Sequence, residues 1–247
     1  MTTPIIEVAD LTTAYGDNVV LDDISFTVAP QEVFVVLGGS GCGKSTLLRN
    51  LLGLLRPTAG SIRIFGTDIT RTNDDELQPL RARIGMVFQG AALFNSMTVA
   101  ENVSLPLEEY TDYPARVIQD IVDWKLHLVE LDHARDYMPA QLSGGMKKRA
   151  AIARAMAMDP DVLFFDEHTT GLDPVMAAEL DRTILRLREK LHITVVVVTH
   201  DMTSIRRIAD RGLMIADKHI VAAGSIREME QSGDARVINF FMRQEGH

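Results

Sequence analysis

Cysteine is nearly absent from this chain. Cys42 stands alone, so no intrachain disulfide can form, and with no base beside it in sequence it reads as a small loop filler rather than a nucleophile. Long apolar runs are missing too: no uncharged stretch approaches the roughly 18 residues that a membrane-spanning helix needs. The longest β-rich run is Ile193 to Thr199, and Glu7 and Asp10 interrupt the N-terminal region. Neither a spanning segment nor a signal peptide is expected, and the expected compartment is the cytosol. Basic charge is in deficit. With 25 Lys and Arg against 34 Asp and Glu, the net charge is -9, which argues against a nucleic-acid-coating role. The local basic groups, Lys147-Lys148-Arg149 and Arg206-Arg207, each fall in a helical pattern and read as solvated faces.

What is present is an ordinary globular balance, 46% hydrophobic and 24% charged over 247 residues, enough for one large domain or a core with a smaller lobe. Within it, Gly38-Gly39-Ser40-Gly41-Cys42-Gly43-Lys44-Ser45-Thr46 follows the β-branched run Glu32 to Leu37 and precedes the helical spacing of Thr46 to Leu55. Glycines at such a strand-to-helix turn let successive N–H groups face inward, and the helix N-terminus adds partial positive charge, so a polyanion is held mostly by backbone. Lys44 is placed to neutralise β- and γ-phosphate oxygens, and the Ser45 hydroxyl to complete the coordination of a Mg²⁺ bound to the same phosphates. Nucleoside triphosphate binding follows.

Ahead of this loop, Ile5 to Val8 and Ile24 to Val28 alternate as half-buried antiparallel strands. Tyr15 lies between them, before Gly16-Asp17, as a turn-packing ring or a platform for an adenine face. Beyond it come the turn Arg56 to Gly60, the strand Ser61 to Phe65, and a strand Ile84 to Phe88 that ends at Gln89. From Gly90 to Ala140 the texture turns helical. A capping box is expected at Thr98 to Glu101, followed by an amphipathic helix whose stripe Val117, Ile121, Trp124, Leu128 and Leu131 is expected to face the core.

Leu142-Ser143-Gly144-Gly145-Met146 opens a helix that Ser143 can cap, a second anion-binding end. Val162 to Phe165 is an apolar strand delivering two carboxylates, Asp166 for a Mg²⁺ shell and Glu167 as candidate general base for a water attacking the γ-phosphate. Asp173 is placed to cap the helix from Val175 to Leu191. His200 follows the buried strand Ile193 to Thr199, where ligands of parallel sheets collect.

In this order the residues resemble the ATP-binding subunits of ABC transporters. Tyr15 matches the aromatic A-loop, Gly38 to Thr46 the Walker A motif, Gln89 the Q-loop, and Leu142 to Met146 the signature. Phe165-Asp166-Glu167 matches the end of Walker B with the catalytic glutamate, Leu172-Asp173 the D-loop, and His200 the switch histidine. The resemblance implies an α/β P-loop NTPase: a RecA-like parallel-sheet core (1–89 and 141–230) with an N-terminal antiparallel β-subdomain, an inserted helical subdomain (90–140) and a C-terminal tail (231–247). It implies that ATP is held by Tyr15, Gly38, Gly39, Ser40, Gly41, Cys42, Gly43, Lys44, Ser45 and Thr46. Ser143, Gly144 and Gly145 then come from the second chain of a head-to-tail homodimer, and Asp173 is also assigned to nucleotide binding. Mg²⁺ is assigned to Ser45, Gln89 and Asp166, and catalysis to Glu167, His200 and Gln89.

Two residues depart from the family pattern: Met146 replaces the usual signature glutamine, and His168 stands where proline commonly follows the catalytic glutamate. Met146 and the run Phe88 to Val103 are similar to the ATPases of MCE and Mla-type lipid transporters. That similarity implies an inner-membrane permease, a small STAS-domain partner, an MCE-domain lipid-shuttling protein, and a seat on the cytoplasmic face of the inner membrane. The permease contact is expected between Gln89 and about Tyr113, a loop-textured stretch carrying Leu93, Phe94, Met97, Leu105 and Leu107. Alternatives are an importer ATPase for a polar solute and, were the signature accidental, a P-loop kinase or GTPase. A DNA-end ABC protein is set aside because no long coiled coil separates Walker A from the signature, and a ribosome-acting one because such proteins usually carry two cassettes.

Overall fold

Alternating apolar and polar residues from Ile6 onward build two long antiparallel strands, β1 (Ile6–Tyr15) and β2 (Asn18–Val28), closed by the turn Gly16-Asp17. The structure, a computed structural model, describes residues 3–243; residues 1, 2 and 244–247, the last four belonging to the expected tail, lie outside it. The chain continues through β3 (Val33–Leu37), α1 (Lys44–Leu51), β4 (Ala59–Ile64), β5 (Thr67–Asp68), α2 (Asp74–Arg81) and β6 (Ile84–Val87). Next come α3 (Val99–Tyr110), α4 (Ala115–Leu128), α5 (Gly144–Ala155), β7 (Val162–Asp166) and α6 (Pro174–Leu191). It closes with β8 (Thr194–Val198), α7 (Met202–Ile208), β9 (Arg211–Ala216), β10 (His219–Ser225), α8 (Ile226–Glu230) and α9 (Ala235–Arg243). Two compact units result, Met1–Arg81 with Thr194–His247, and Ala82–Ile193.

The first unit holds an antiparallel sheet in the order β2-β1-β4-β5 and a parallel group in which β3 lies between β8 and β9, with β10 antiparallel on β9. β3 and β8 are buried at every residue, as strands covered on both faces must be. Each fully buried Val or Leu there contributes roughly 1.5–3 kcal/mol. Such a strand carries side chains but no solvent-facing polar rhythm, which is why VFVVL and TVVVV read as unbroken apolar runs.

The second unit pairs β6 with β7 in parallel. Gly85 is needed on β6 because a Cβ there would sit 2.4 Å from the Ala155 carbonyl oxygen at the end of α5. The expected capping box is present: the Thr98 amide donates to Glu101 Oε2 at 2.7 Å and the Glu101 amide to Thr98 Oγ1 at 3.2 Å. α3 carries helix through Tyr110 with Pro106 inside it, so the loop texture read between Gln89 and Tyr113 ends at Thr98. The stripe on α4 also needs correcting. Val117 and Trp124 are exposed, and the buried residues are Ile118, Val122, Lys125, Leu126 and Leu128. Lys125 joins the buried face because its ammonium meets the Asp159 carboxylate.

Candidate nucleotide and catalytic sites

The phosphate loop sits in the first unit, between buried β3 and α1. Gly38 takes φ 149° and Gly43 φ 109°. At Gly38 a side chain has no room, since its Cβ would lie 2.5 Å from the Ile215 carbonyl oxygen. Lys44 is buried and folds back along the loop, its Nζ donating to the Gly38 and Gly39 carbonyls at 2.9 Å each. Ser40, Gly41 and Ser45 are exposed and Thr46 is buried. Glycines in the left-handed region, an ammonium held against the loop carbonyls and an exposed hydroxyl beside it fit a triphosphate.

Tyr15 ends β1 half exposed, and its hydroxyl accepts from Arg49 Nη1 on α1 at 3.5 Å. Hydrogen bonding to Thr46 and then to Arg49 holds the phenol below its ordinary pKa. Both neighbours belong to the helix that starts in the phosphate loop, so the ring is tethered beside that loop. Also in the first unit, β8 ends at Val198 and His200 comes after buried Thr199, ahead of Asp201, whose carboxylate caps α7 by accepting from Thr203 and Ser204 amides.

The second unit carries the carboxylates. β7 is buried from Val162 through Phe165, then delivers half-buried Asp166 and, at φ 48°, Glu167. Gln89, the residue after Phe88 at the end of β6, donates from Nε2 to Glu167 Oε2 at 3.1 Å, and Thr170 Oγ1 donates to the same oxygen at 3.1 Å. Two residues predicted for catalysis thus meet directly.

Lys148 is the residue the sequence reading missed. The basic run around it suggests a solvated face, yet Lys148 is buried, and its Nζ donates to the Gln89 carbonyl at 2.5 Å and the Glu167 carbonyl at 3.4 Å. Burial lowers its pKa, opposed by the charges of Asp166 and Glu167. The available signal was its position: three residues past Gly145, one turn into a helix whose alanine face is buried, where a lysine points inward. Arg206, by contrast, is exposed and pairs with Glu230.

Ser143 caps α5, accepting from the Met146 amide at 3.3 Å, and Gly144 remains exposed. Asp173 caps α6 through the Val175 and Met176 amides at 2.9 and 3.0 Å. Among the described residues no group of three or more His, Cys, Asp or Glu side chains could hold a metal by itself. Ser45 in the first unit and Gln89 and Asp166 in the second each carry an oxygen of the kind Mg²⁺ takes.

A family model for ABC transporters matches residues 21–170. The intermembrane phospholipid transport system ATP-binding protein MlaF of Haemophilus influenzae is 42% identical over 236 residues, covering 96% of this chain and 89% of that protein. The probable ribonucleotide transport ATP-binding protein mkl of Mycobacterium tuberculosis is 41% identical over 237 residues, 96% of this chain and 66% of its own length. Among solved structures, cbiO1 from Clostridium perfringens, part of the ABC transporter complex cbiONQ, gives a TM-score of 0.87 at 31% identity, with 99% of this chain and 98% of that one covered. The dimeric ATP-binding cassette MJ0796, in a post-hydrolysis state bound to ADP and Pi, gives 0.81 at 31% identity over 90% of this chain and 99% of that one. With its glycine loop following β3, its paired carboxylates at the end of β7 and these matches, the chain belongs to the ABC transporter family, as an ATP-binding and ATP-hydrolysing cassette.

Proposed function

We propose that this cassette powers phospholipid transport through a separate membrane permease, seated on the cytoplasmic face of the inner membrane. The observation that carries the reading is the 42% identity to the MlaF protein of Haemophilus influenzae across 96% of the chain. Among the described residues no helix is long and apolar enough to cross a membrane, so in this reading force passes through a surface contact with the permease.

In the proposed reaction the loop amides and Lys44 hold the triphosphate, and Tyr15 stacks on the base. Bound Mg²⁺ would neutralise developing phosphoryl charge, held by Ser45, Gln89 and Asp166. Glu167 takes the proton of the attacking water, its carboxylate oriented by Gln89 and Thr170. His200 contacts the γ-phosphate. Two copies pair head to tail, so that Ser143, Gly144, Gly145 and Asp173 of one chain close over the nucleotide of the other. The 90–140 segment acts as the helical lobe that meets the permease, and a STAS-domain protein and an MCE-domain shuttle complete the assembly. Neither nucleic acid nor a second cassette in the same chain is required.

A second reading, import of a polar solute, is favoured by the mkl relative, a probable ribonucleotide transport ATP-binding protein. The two separate on purification of the tagged chain with its permease from native membranes. Copurifying phospholipid and ATPase activity stimulated by phospholipid vesicles are expected. Stimulation by ribonucleotides with no bound phospholipid overturns the lipid reading.

A further inference from the structure

Glu167 sits in the left-handed region, at φ 48°, at the point where the chain leaves β7. The next residue, His168, is fully buried, as is Asp181 in α6, and His168 Nε2 lies 3.0 Å from Asp181 Oδ1. From the other side the Phe165 ring meets the imidazole edge-on, with centroids 5.8 Å apart and planes at 67°. The Glu167–His168 peptide is therefore clamped between the last core residue of β7 and the second turn of α6. Glu167 points its carboxylate outward to Gln89 and Thr170 while its neighbour points inward to Asp181. Burying two ionisable side chains together is costly unless each satisfies the other, and packing alone could be met here by an apolar side chain.

We propose that His168 is a positioning residue for hydrolysis: through its bond to Asp181 it fixes the backbone of Glu167, and so the aim of the Glu167 carboxylate, to helix α6. This rests on the assignment of Glu167 as the base. The substrate groups bound elsewhere are untouched by the pair, so its loss acts on turnover rather than on ATP affinity. The polar atom that matters is the one at the Nε2 position. A glutamine can place its amide N–H there, whereas an asparagine is too short to reach Asp181.

The test compares His168→Gln, His168→Asn and the double variant His168→Leu/Asp181→Leu, each purified with the permease. Measured are kcat and KM for ATP, equilibrium ATP binding and the melting temperature. His168→Gln is expected to keep kcat within about threefold of native, and His168→Asn to lose about tenfold or more in kcat, with KM and ATP binding near native, as expected when a reacting group is misaligned. The double variant removes both members of the pair at once, so neither is left facing the vacated position of the other, and it is expected to fold and still show the kcat loss. Native kcat in both His168→Asn and the double variant overturns the proposal. So does a loss in the Gln and Asn variants alike that tracks their melting temperatures. Failure of the underlying assignment looks different: Glu167→Gln would then hydrolyse ATP at the native rate.

Discussion

Glu167 occupies a backbone conformation that costs a residue with a side chain about 1–3 kcal/mol, held because the turn around it is over-determined. Its carboxylate accepts from Gln89 and Thr170, and its carbonyl from Lys148. Replacing Glu167 with Gln preserves shape and removes the base, so phosphate release is expected to slow by roughly 10² while ATP binding stays intact. Hydrolysis at the native rate would refute the assignment. Lys148→Met keeps the buried stem and removes the ammonium that ties the Gln89 and Glu167 carbonyls together. Steady-state turnover is expected to fall by about tenfold with the ATP affinity retained, the size of effect that loss of alignment gives. An unchanged turnover would reduce Lys148 to a packing residue. The carboxylates, the phosphate loop and Gln89 were legible because their chemistry is written at fixed offsets from apolar strands. Lys148 was not, because a run of three basic residues looks solvated unless the helix phase is known. His168 stood out as a departure, but its partner, 13 residues on, was invisible.

At the scale of elements, α4 shows how a helix stripe can be misassigned. Val117, Ile121, Trp124 and Leu128 step by four, three and four, but so do Ile118, Val122, Lys125 and Val129, one residue and about 100° further round. The second set is buried throughout, whereas of the predicted stripe only Leu128 and Leu131 reach the core, and a lysine in the buried set, paired with Asp159, disguised the pattern. The segment before α3 is better defined than its loop texture suggested. Asn102, fully buried, donates to the carbonyls of Phe94, Met97 and Thr98 and accepts from the Phe94 amide. That fixes the backbone under Phe94, whose ring is exposed and lies beneath Arg154 at 5.9 Å. A rigid loop presenting an exposed aromatic suits docking of a short permease helix. Phe94→Asp and Met97→Asp are expected to abolish copurification with the permease and leave ATP binding near native. Normal copurification of both variants would remove this surface from consideration.

For the whole molecule, the proposed assembly divides the nucleotide-closing groups between two copies. Lys44→Ala and Ser143→Arg each damage both sites of a homodimer, whereas a mixed dimer collects both lesions in one site and leaves the other intact. Mixing the two inactive variants is therefore expected to restore partial ATPase activity, up to about half of native in each mixed dimer, if interactions at separate sites add. No recovery in preparations shown to contain mixed dimers would refute the shared site.

β3, which carries the phosphate loop, bonds to strands that come far later in the chain: Phe34 faces Val196 on β8 and Arg211 on β9. During synthesis the glycine loop thus emerges long before the strands that hold its base in place, and closing so long a connection is slow. A nascent chain stopped short of Thr194 contains every residue of the loop yet lacks both neighbours of β3. Such a fragment is expected to bind no ATP in a fluorescent-nucleotide titration, and binding by residues 1–193 would contradict this. Nucleotide capacity thereby reports that β8 and β9 have been made, so a motor cut short before Thr194 cannot draw on ATP.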